Sequence, residues 1–449
     1  MKTTTLNMIA CSMAAAAAMA GSALSAQTAS SPAAGSSSGG APKAAAGAPA
    51  YFWNEIFGRK KPASKFHLYK NGENPVVQEL NASLRVQYQA GWADGHVGNY
   101  PGSRNWTSEF RRFRAGWNAK LFKDFKVQNV WNVGGVRSRG SWDSASGSWR
   151  NTSQTSSSLY EAFVEYNHRQ KGYTVAFGKT NPAVYAENRI SSSSLWTPDF
   201  SISEQTVLFE SAWGVWAAND TKKDKLGYYA GVWSTSSDGG RQTWGTWESC
   251  FTTLELSYGL DGLLLGKGRF YVDWVHNCAD DSAVRRGDYY AGNTWKDVFA
   301  AYYIGRSGPF ELSVEGMAAL DAQEASGGAG RMLAFTAIPA WMLTDRFQLV
   351  ARFQCAHGEN AVNVGKMRYA GRLQKSGTVD GVRYASVGRA SDYWAVGAGV
   401  NFYVYPEDHA RLKVMMMLEY ANSGVSAKYR ASNAGFTGWQ LIAGVYMNF

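Results

Sequence analysis

The feature that most limits what this chain can fold into is a strand-like alternation whose polar face carries charge. In RRFRAGWNAKLF, residues 111–122, Phe113, Ala115, Trp117, Ala119 and Leu121 fall on one face and Arg112, Arg114, Gly116, Asn118 and Lys120 on the other. That is the period-two signature of a strand with one apolar side. A soluble sandwich seldom lines the buried side of such a strand with three cations, because buried charges need partners, whereas a water-filled lumen accepts them.

The same alternation recurs along the chain. NASLRVQYQAGW puts Ala82, Leu84, Val86 and Tyr88 on one face and Ser83, Arg85, Gln87 and Gln89 on the other, and ARLKVMMMLEY separates Leu412, Val414, Met416, Leu418 and Tyr420 from Arg411, Lys413, Met415, Met417 and Glu419. Sliding the latter by one residue would put two cations and a carboxylate into hydrocarbon, at about 2 to 4 kcal/mol for each cation at the midplane. Strands are expected at 81–92, 111–122, 125–135, 159–166, 173–178, 207–218, 226–234, 247–258, 269–276, 295–304, 310–320, 332–342, 347–356, 393–405, 410–420 and 438–449, sixteen in all. Their links alternate between short ones, such as Ser307-Gly308, Thr344-Asp345 and 406–409, and long ones, such as 179–206 and 357–392. An even strand count with that asymmetry predicts an all-β fold: a transmembrane antiparallel β-barrel over residues 80–449, with short periplasmic turns, long extracellular loops and both termini in the periplasm. In the last segment, GWQLIAGVYMNF, residues Trp439, Leu441, Ala443, Val445, Met447 and Phe449 share the lipid face, and Phe449 and Tyr446 are expected in the aromatic girdle.

Composition agrees. Aromatic residues make up 14% of the chain, Gly numbers 48, and charged residues reach only 18%, while mean hydropathy is −0.31. No apolar run is long enough to cross a bilayer as a helix. Lys2 followed by MIACSMAAAAAMA reads as a secretory signal over residues 1–26, cleaved after Ala26. Residues 27–50, nearly all Ala, Ser, Gly and Pro, read as a flexible linker. Residues 51–79 read as a periplasmic segment in which YFWNEIFGRKKP can form only a short helix before Pro62. Cys250 and Cys278 fall near one rim of neighbouring strands, where a disulfide is chemically open to them; inert thiols are the alternative. His67, His96, His168, His276, His357 and His409 are scattered singly, without metal-ligand spacing. No cofactor, no nucleic-acid partner and no catalytic constellation is expected.

Four segments in order, FRRFRAGWNAKLFKDFKVQ, LYEAFVEYN, VAFGKTNPAVYAENRISSSSLW and KLGYYAGVWSTSSDG, resemble the phosphate-selective porin O and P family of Gram-negative outer membranes. The resemblance implies a sixteen-stranded, homotrimeric pore whose loop of residues 179–206 folds inward to narrow it, with anion preference and in some members selectivity for phosphate. It departs from that family in the loop itself, which carries Lys179 and Arg189 but also Glu187, Asp199 and Glu204.

The expected role is therefore an outer-membrane porin passing small hydrophilic solutes, with anions preferred; the alternative is a structural or adhesive barrel with little channel activity. The formal charge of +10, or +9 once Lys2 is removed, favours anions at the mouth. Arg85, Arg112, Arg114, Lys120 and Lys126 would form a basic wall from three consecutive strands, with Lys179 and Arg189 joining them from the loop. Inward Glu161, Glu165, Glu255, Asp273, Glu311 and Glu315 would set a transverse field against it. Trp142, Trp149, Trp244 and Trp247 are candidates for an aromatic track near the outer rim. Expected partners are outer-membrane lipid, small anions and, through the GVYMNF ending, the barrel assembly machinery.

Overall fold

The computed structural model describes residues 66–98, 100–133, 137–143, 148–154, 158–168, 171–190, 194–207, 211–219, 225–234, 250–260, 266–278, 295–320, 330–364, 367–372, 377–379, 382–384, 387–426 and 434–449. The expected signal, linker and helix before residue 66 lie outside them. Strands follow in chain order as β1 (Phe66–Lys70), β2 (Val77–Val97), β3 (Tyr100–Leu121), β4 (Phe125–Asn132), β5 (Arg137–Asp143), β6 (Ser148–Gln154), β7 (Ser158–His168), β8 (Tyr173–Thr180), β9 (Ala212–Asn219), β10 (Leu226–Ser234) and β11 (Cys250–Gly259). They continue with β12 (Lys267–Asn277), β13 (Asp297–Ser307), β14 (Phe310–Leu320), β15 (Met332–Met342), β16 (Phe347–Asn363), β17 (Gly377–Val379), β18 (Val382–Tyr384), β19 (Arg389–Tyr403), β20 (Leu412–Gly424) and β21 (Phe436–Asn448). Two short helices, α1 (Ala186–Arg189) and α2 (Ile202–Val207), lie between β8 and β9.

Sixteen strands pair antiparallel with their neighbours in sequence and close on themselves where β21 meets β2. The pairs β5–β6 and β17–β18 form separate hairpins inside two of the outer connections. Closure leaves no open edge, which is what lets a sheet sit in lipid with every backbone group satisfied. Large apolar side chains stay exposed on the outside of strand after strand, among them Trp117, Val164, Phe177, Leu256, Phe299, Phe353, Leu418 and Trp439. Their inward neighbours Asn81, Gln89, Glu255, Asp273, Lys413 and Glu419 are buried. This inversion of the soluble pattern marks a protein whose exterior faces hydrocarbon.

The expected strands are all present, with shifted ends. Residue 207, expected to open a strand, instead ends α2, and β9 begins at Ala212. β2 and β3 run 21 and 22 residues, far longer than expected. Tyr446 is a correction: it points inward, 3% exposed, and donates its hydroxyl to Pro198 O at 2.7 Å. It shares the inward parity of Gln440 and Ile442, so it cannot reach the girdle. Phe449, expected in the girdle, is 6% exposed, packed between β1 and the Arg411 guanidinium, which lies 5.5 Å from its ring. β1 pairs with β2 at Phe66↔Ala82, directly beyond the point where Leu84 and Phe449 exchange backbone hydrogen bonds of 2.9 and 2.8 Å. The Phe66 and Phe449 rings lie 5.6 Å apart. β1 thus continues the line of β21, inside a stretch expected to stand apart from the barrel.

Cys250 and Cys278 stand opposite one another, the Cys278 amide donating to Cys250 O at 2.8 Å, and both thiols are free.

Candidate pore constriction

The connection from β8 to β9 folds into the lumen. Tyr185 turns the chain at φ 67, ψ 150, a backbone region nearly reserved for glycine that costs another residue about 1 to 3 kcal/mol, and successive amides then aim at the wall. Tyr185 N–H donates to Asp273 Oδ2 at 2.6 Å and Ala186 N–H to Glu315 Oε1 at 2.8 Å. Within the loop, Glu187 N–H donates to Glu204 Oε1 at 2.5 Å, and Ser201 N–H to Glu187 Oε2 at 2.6 Å. Further along, Asn401 Nδ2 donates to Trp196 O at 2.8 Å and Gln89 Nε2 to Pro198 O at 2.6 Å, while Ile202 N–H donates back to Gln354 Oε1 at 2.8 Å. The loop therefore touches the wall from β12 round to β2.

It rests on an inward aromatic row of Phe163, Trp216, Trp233 and Phe251, with successive ring centroids 5.5, 5.2 and 6.2 Å apart. These rings are 0–9% exposed and pack with Val184, Tyr185, Ile202 and Val207 of the loop. They are core, burying the loop's apolar side, and no track for a passing solute. The tryptophans expected to form such a track fall outside the side chains described.

The loop's three carboxylates divide: Asp199 meets Arg111 on β3, whereas Glu187 and Glu204 turn to the acidic side. Asp199 receives Arg111 Nη2 at 2.5 Å and Arg368 Nε at 2.9 Å. Burial alone would raise its pKa; the two guanidinium groups outweigh burial and bring it down to about 2. Glu187 and Glu204 face Glu315 and Asp273. Burial first, then the neighbouring carboxylates Glu315 and Glu187, push the Glu204 carboxyl well above its ordinary range.

Facing the loop's other side is the basic wall. Arg85 stands opposite Arg114, and Lys120 opposite Lys126. Arg112 Nη1 donates to Gln87 Oε1 at 2.6 Å, Arg114 Nε to Asn132 Oδ1 at 3.0 Å, and Arg85 Nε to Asn448 Oδ1 at 3.1 Å. These are neutral amide partners, which orient each guanidinium without cancelling its charge. Arg114 also lies 3.3 Å from the Tyr160 ring centroid, and Arg112 lies 6.0 Å from that of Phe200, the loop residue that looks back at the wall.

Of the expected cations, five come together on β2–β4 and two do not. Arg189 is bound to Glu255 on the acidic side and stacks 4.8 Å from the Tyr271 ring. Lys179 is 5% exposed and pairs with Ala162 and Trp213 on the same parity as the lipid-facing Val175 and Phe177. Sequence reasoning missed Arg111. The register places Gln87 opposite Arg112 but Tyr88 opposite Phe110, so Arg111 is the extra residue of a β-bulge and both arginines face inward. The spacing of Phe110 and Phe113, three apart where alternation demands two or four, was the signal.

Sixteen antiparallel strands closed on themselves, an apolar exterior, short turns at one end and a loop folded into the lumen define an outer-membrane β-barrel of porin architecture. A solved structure supports the fold. The Salmonella typhi OmpF complex with daunomycin aligns at TM-score 0.52 and 12% identity, over 86% of this chain and 100% of that one. Pseudomonas putida OprB aligns at 0.49 and 11%, over 82% and 94%. An anion-selective porin from Comamonas acidovorans aligns at 0.49 and 9%, over 82% and 99%. No family model and no curated protein matches the chain.

Proposed function

We propose that this barrel is a passive channel for small hydrophilic solutes that prefers anions, phosphate among them. The observation that carries the reading is the separation of charge across the constriction. Arg85, Arg112, Arg114, Lys120 and Lys126 line one wall, while the inward loop buries Glu187 and Glu204 on the acidic side and pairs Asp199 with Arg111 and Arg368. The loop's acidic residues, which by count alone argue against anion passage, have Arg111 and Arg368 or the acidic side as their partners. Guanidinium forks held by amides can each donate two hydrogen bonds to an oxyanion as it passes, and rows of cations on a pore wall favour anions.

Reversal potential across a chloride gradient in a planar bilayer tests this. The expected sign is anion-selective, and Arg112→Ala with Arg114→Ala should lower the anion-to-cation permeability ratio by about threefold or more. A cation-selective sign, or a ratio unmoved by the double change, would overturn it. Correctly folded protein that opens no channels at all would instead favour the adhesive or structural reading.

A further inference from the structure

The connection from β16 to β19 also enters the lumen, although its sequence gives no hint of the loop resemblance drawn for residues 179–206. Met367, Tyr369 and Ala370 are 0–4% exposed. The Tyr369 and Ala370 amides both donate to Gln440 Oε1, at 3.3 and 3.2 Å, on the inward face of β21. The Tyr369 ring fills the space over Gly91 of β2, where a Cβ would come within 2.3 Å of it.

Arg368 sits between these contacts and the first inward loop. Its Nε donates to Asp199 Oδ2 at 2.9 Å, and its Nη1 bonds the carboxylate of Glu109 on β3. Asp199 in turn accepts from Arg111 through its other oxygen at 2.5 Å, while Arg352 Nη1 donates to Asp199 O at 2.7 Å. Glu109 and Asp199 are 3% and 2% exposed. A buried carboxylate without its cation leaves an uncompensated charge, so Arg111, Asp199, Arg368 and Glu109 hold together as a neutral set of four. Three separate parts of the chain meet there: the β3 wall, the 181–211 loop and the 364–388 loop.

We infer that residues 367–372 are a second constriction element of the channel, and that Arg368 sets the size of the passage by clamping them to Asp199 and Glu109. This rests on the channel reading, and it adds to that reading a residue that limits solute size and is not one of the five wall cations. Arg368 is a positioning residue. Its planar fork reaches two carboxylates at once, which a lysine can do only as a point charge.

The test is single-channel conductance in planar bilayers together with the largest neutral sugar that enters liposomes. In Arg368→Gln, conductance should rise by about twofold and larger sugars should pass. Arg368→Lys should remain near wild type. Tyr369→Ala removes the second anchor without altering the charge set, and it should shift conductance in the same direction if Arg368→Gln does not fold. Folding is checked by the heat-resistant mobility of the barrel. Folded Arg368→Gln and Tyr369→Ala channels with unchanged conductance and sugar limit would overturn the inference and leave the channel reading standing. Wild-type protein without channels would sink that reading instead.

Discussion

Two carboxyls of the inward loop respond to pH in opposite senses. The Asp199 pKa, brought below its ordinary 3.8 to about 2, contributes stability that is present above pH 4 and is lost as pH falls through about 2, a term of about 2 kcal/mol. Glu204 behaves in reverse. Its pKa is raised above the ordinary 4.5, so its hold on the loop is complete in acid and weakens as pH climbs above that value. The groups facing it are Glu315 on the wall and Glu187 within the loop, and Arg352 acts on Glu187 from β16. Channel conductance is therefore expected to increase as pH rises above the ordinary carboxylate range in the wild type, and Glu204→Gln should flatten that rise. A flat wild-type profile would count against the raised Glu204 carboxyl as the source of the rise. At this scale the sequence was legible wherever parity decides the answer: Arg85, Arg112, Arg114, Lys120 and Lys126 point inward as alternation requires. It was illegible where a bulge interrupts parity, as at Arg111, or where a distant partner captures a cation, as Glu255 captures Arg189.

Strands were the most readable elements, because a sheet with lipid on one side and water on the other writes its register into every second residue. β20 is the clearest case. Lys413, Met415, Met417 and Glu419 are 1–3% exposed, whereas Leu418 is 41% exposed, so an outward Leu418→Arg should destabilise the barrel by about 2 to 4 kcal/mol. Urea titration of the protein in lipid vesicles measures it; a loss below about 0.5 kcal/mol would place Leu418 off the hydrocarbon band. The connections were less readable. Periodicity reports which way a strand's side chains face, but the path of a loop depends on partners hundreds of residues away, such as Gln440 for Tyr369. Met367, Tyr369 and Ala370, set among Lys366, Arg368 and Arg372, were a local sign that this stretch buries itself.

For the whole molecule, strand number and closure followed from counting alternating links, and the pairing of Phe449 with Leu84 confirms the count. What the count missed is the seam. β1 is short and its flanks are polar, so nothing in Phe66–Lys70 distinguishes it from the segment around it. Phe66→Ala should remove the ring contact over Phe449 and cost about 1 kcal/mol, read as a lower temperature at which the heat-resistant form disappears on electrophoresis. An unchanged temperature would make β1 ornamental to closure. The position of β1 also bears on how the cylinder comes to be closed. A strand sliding home between β20 and β2 has a rail on either side but, in a plain barrel, nothing at the end of the track. Here Phe66 occupies the next place along the same edge of β2, so a slip of two residues would drive Phe449 into it. The hairpin of β1 and β2 is a doorstop, and it gives the last strand a single depth at which the cylinder can shut.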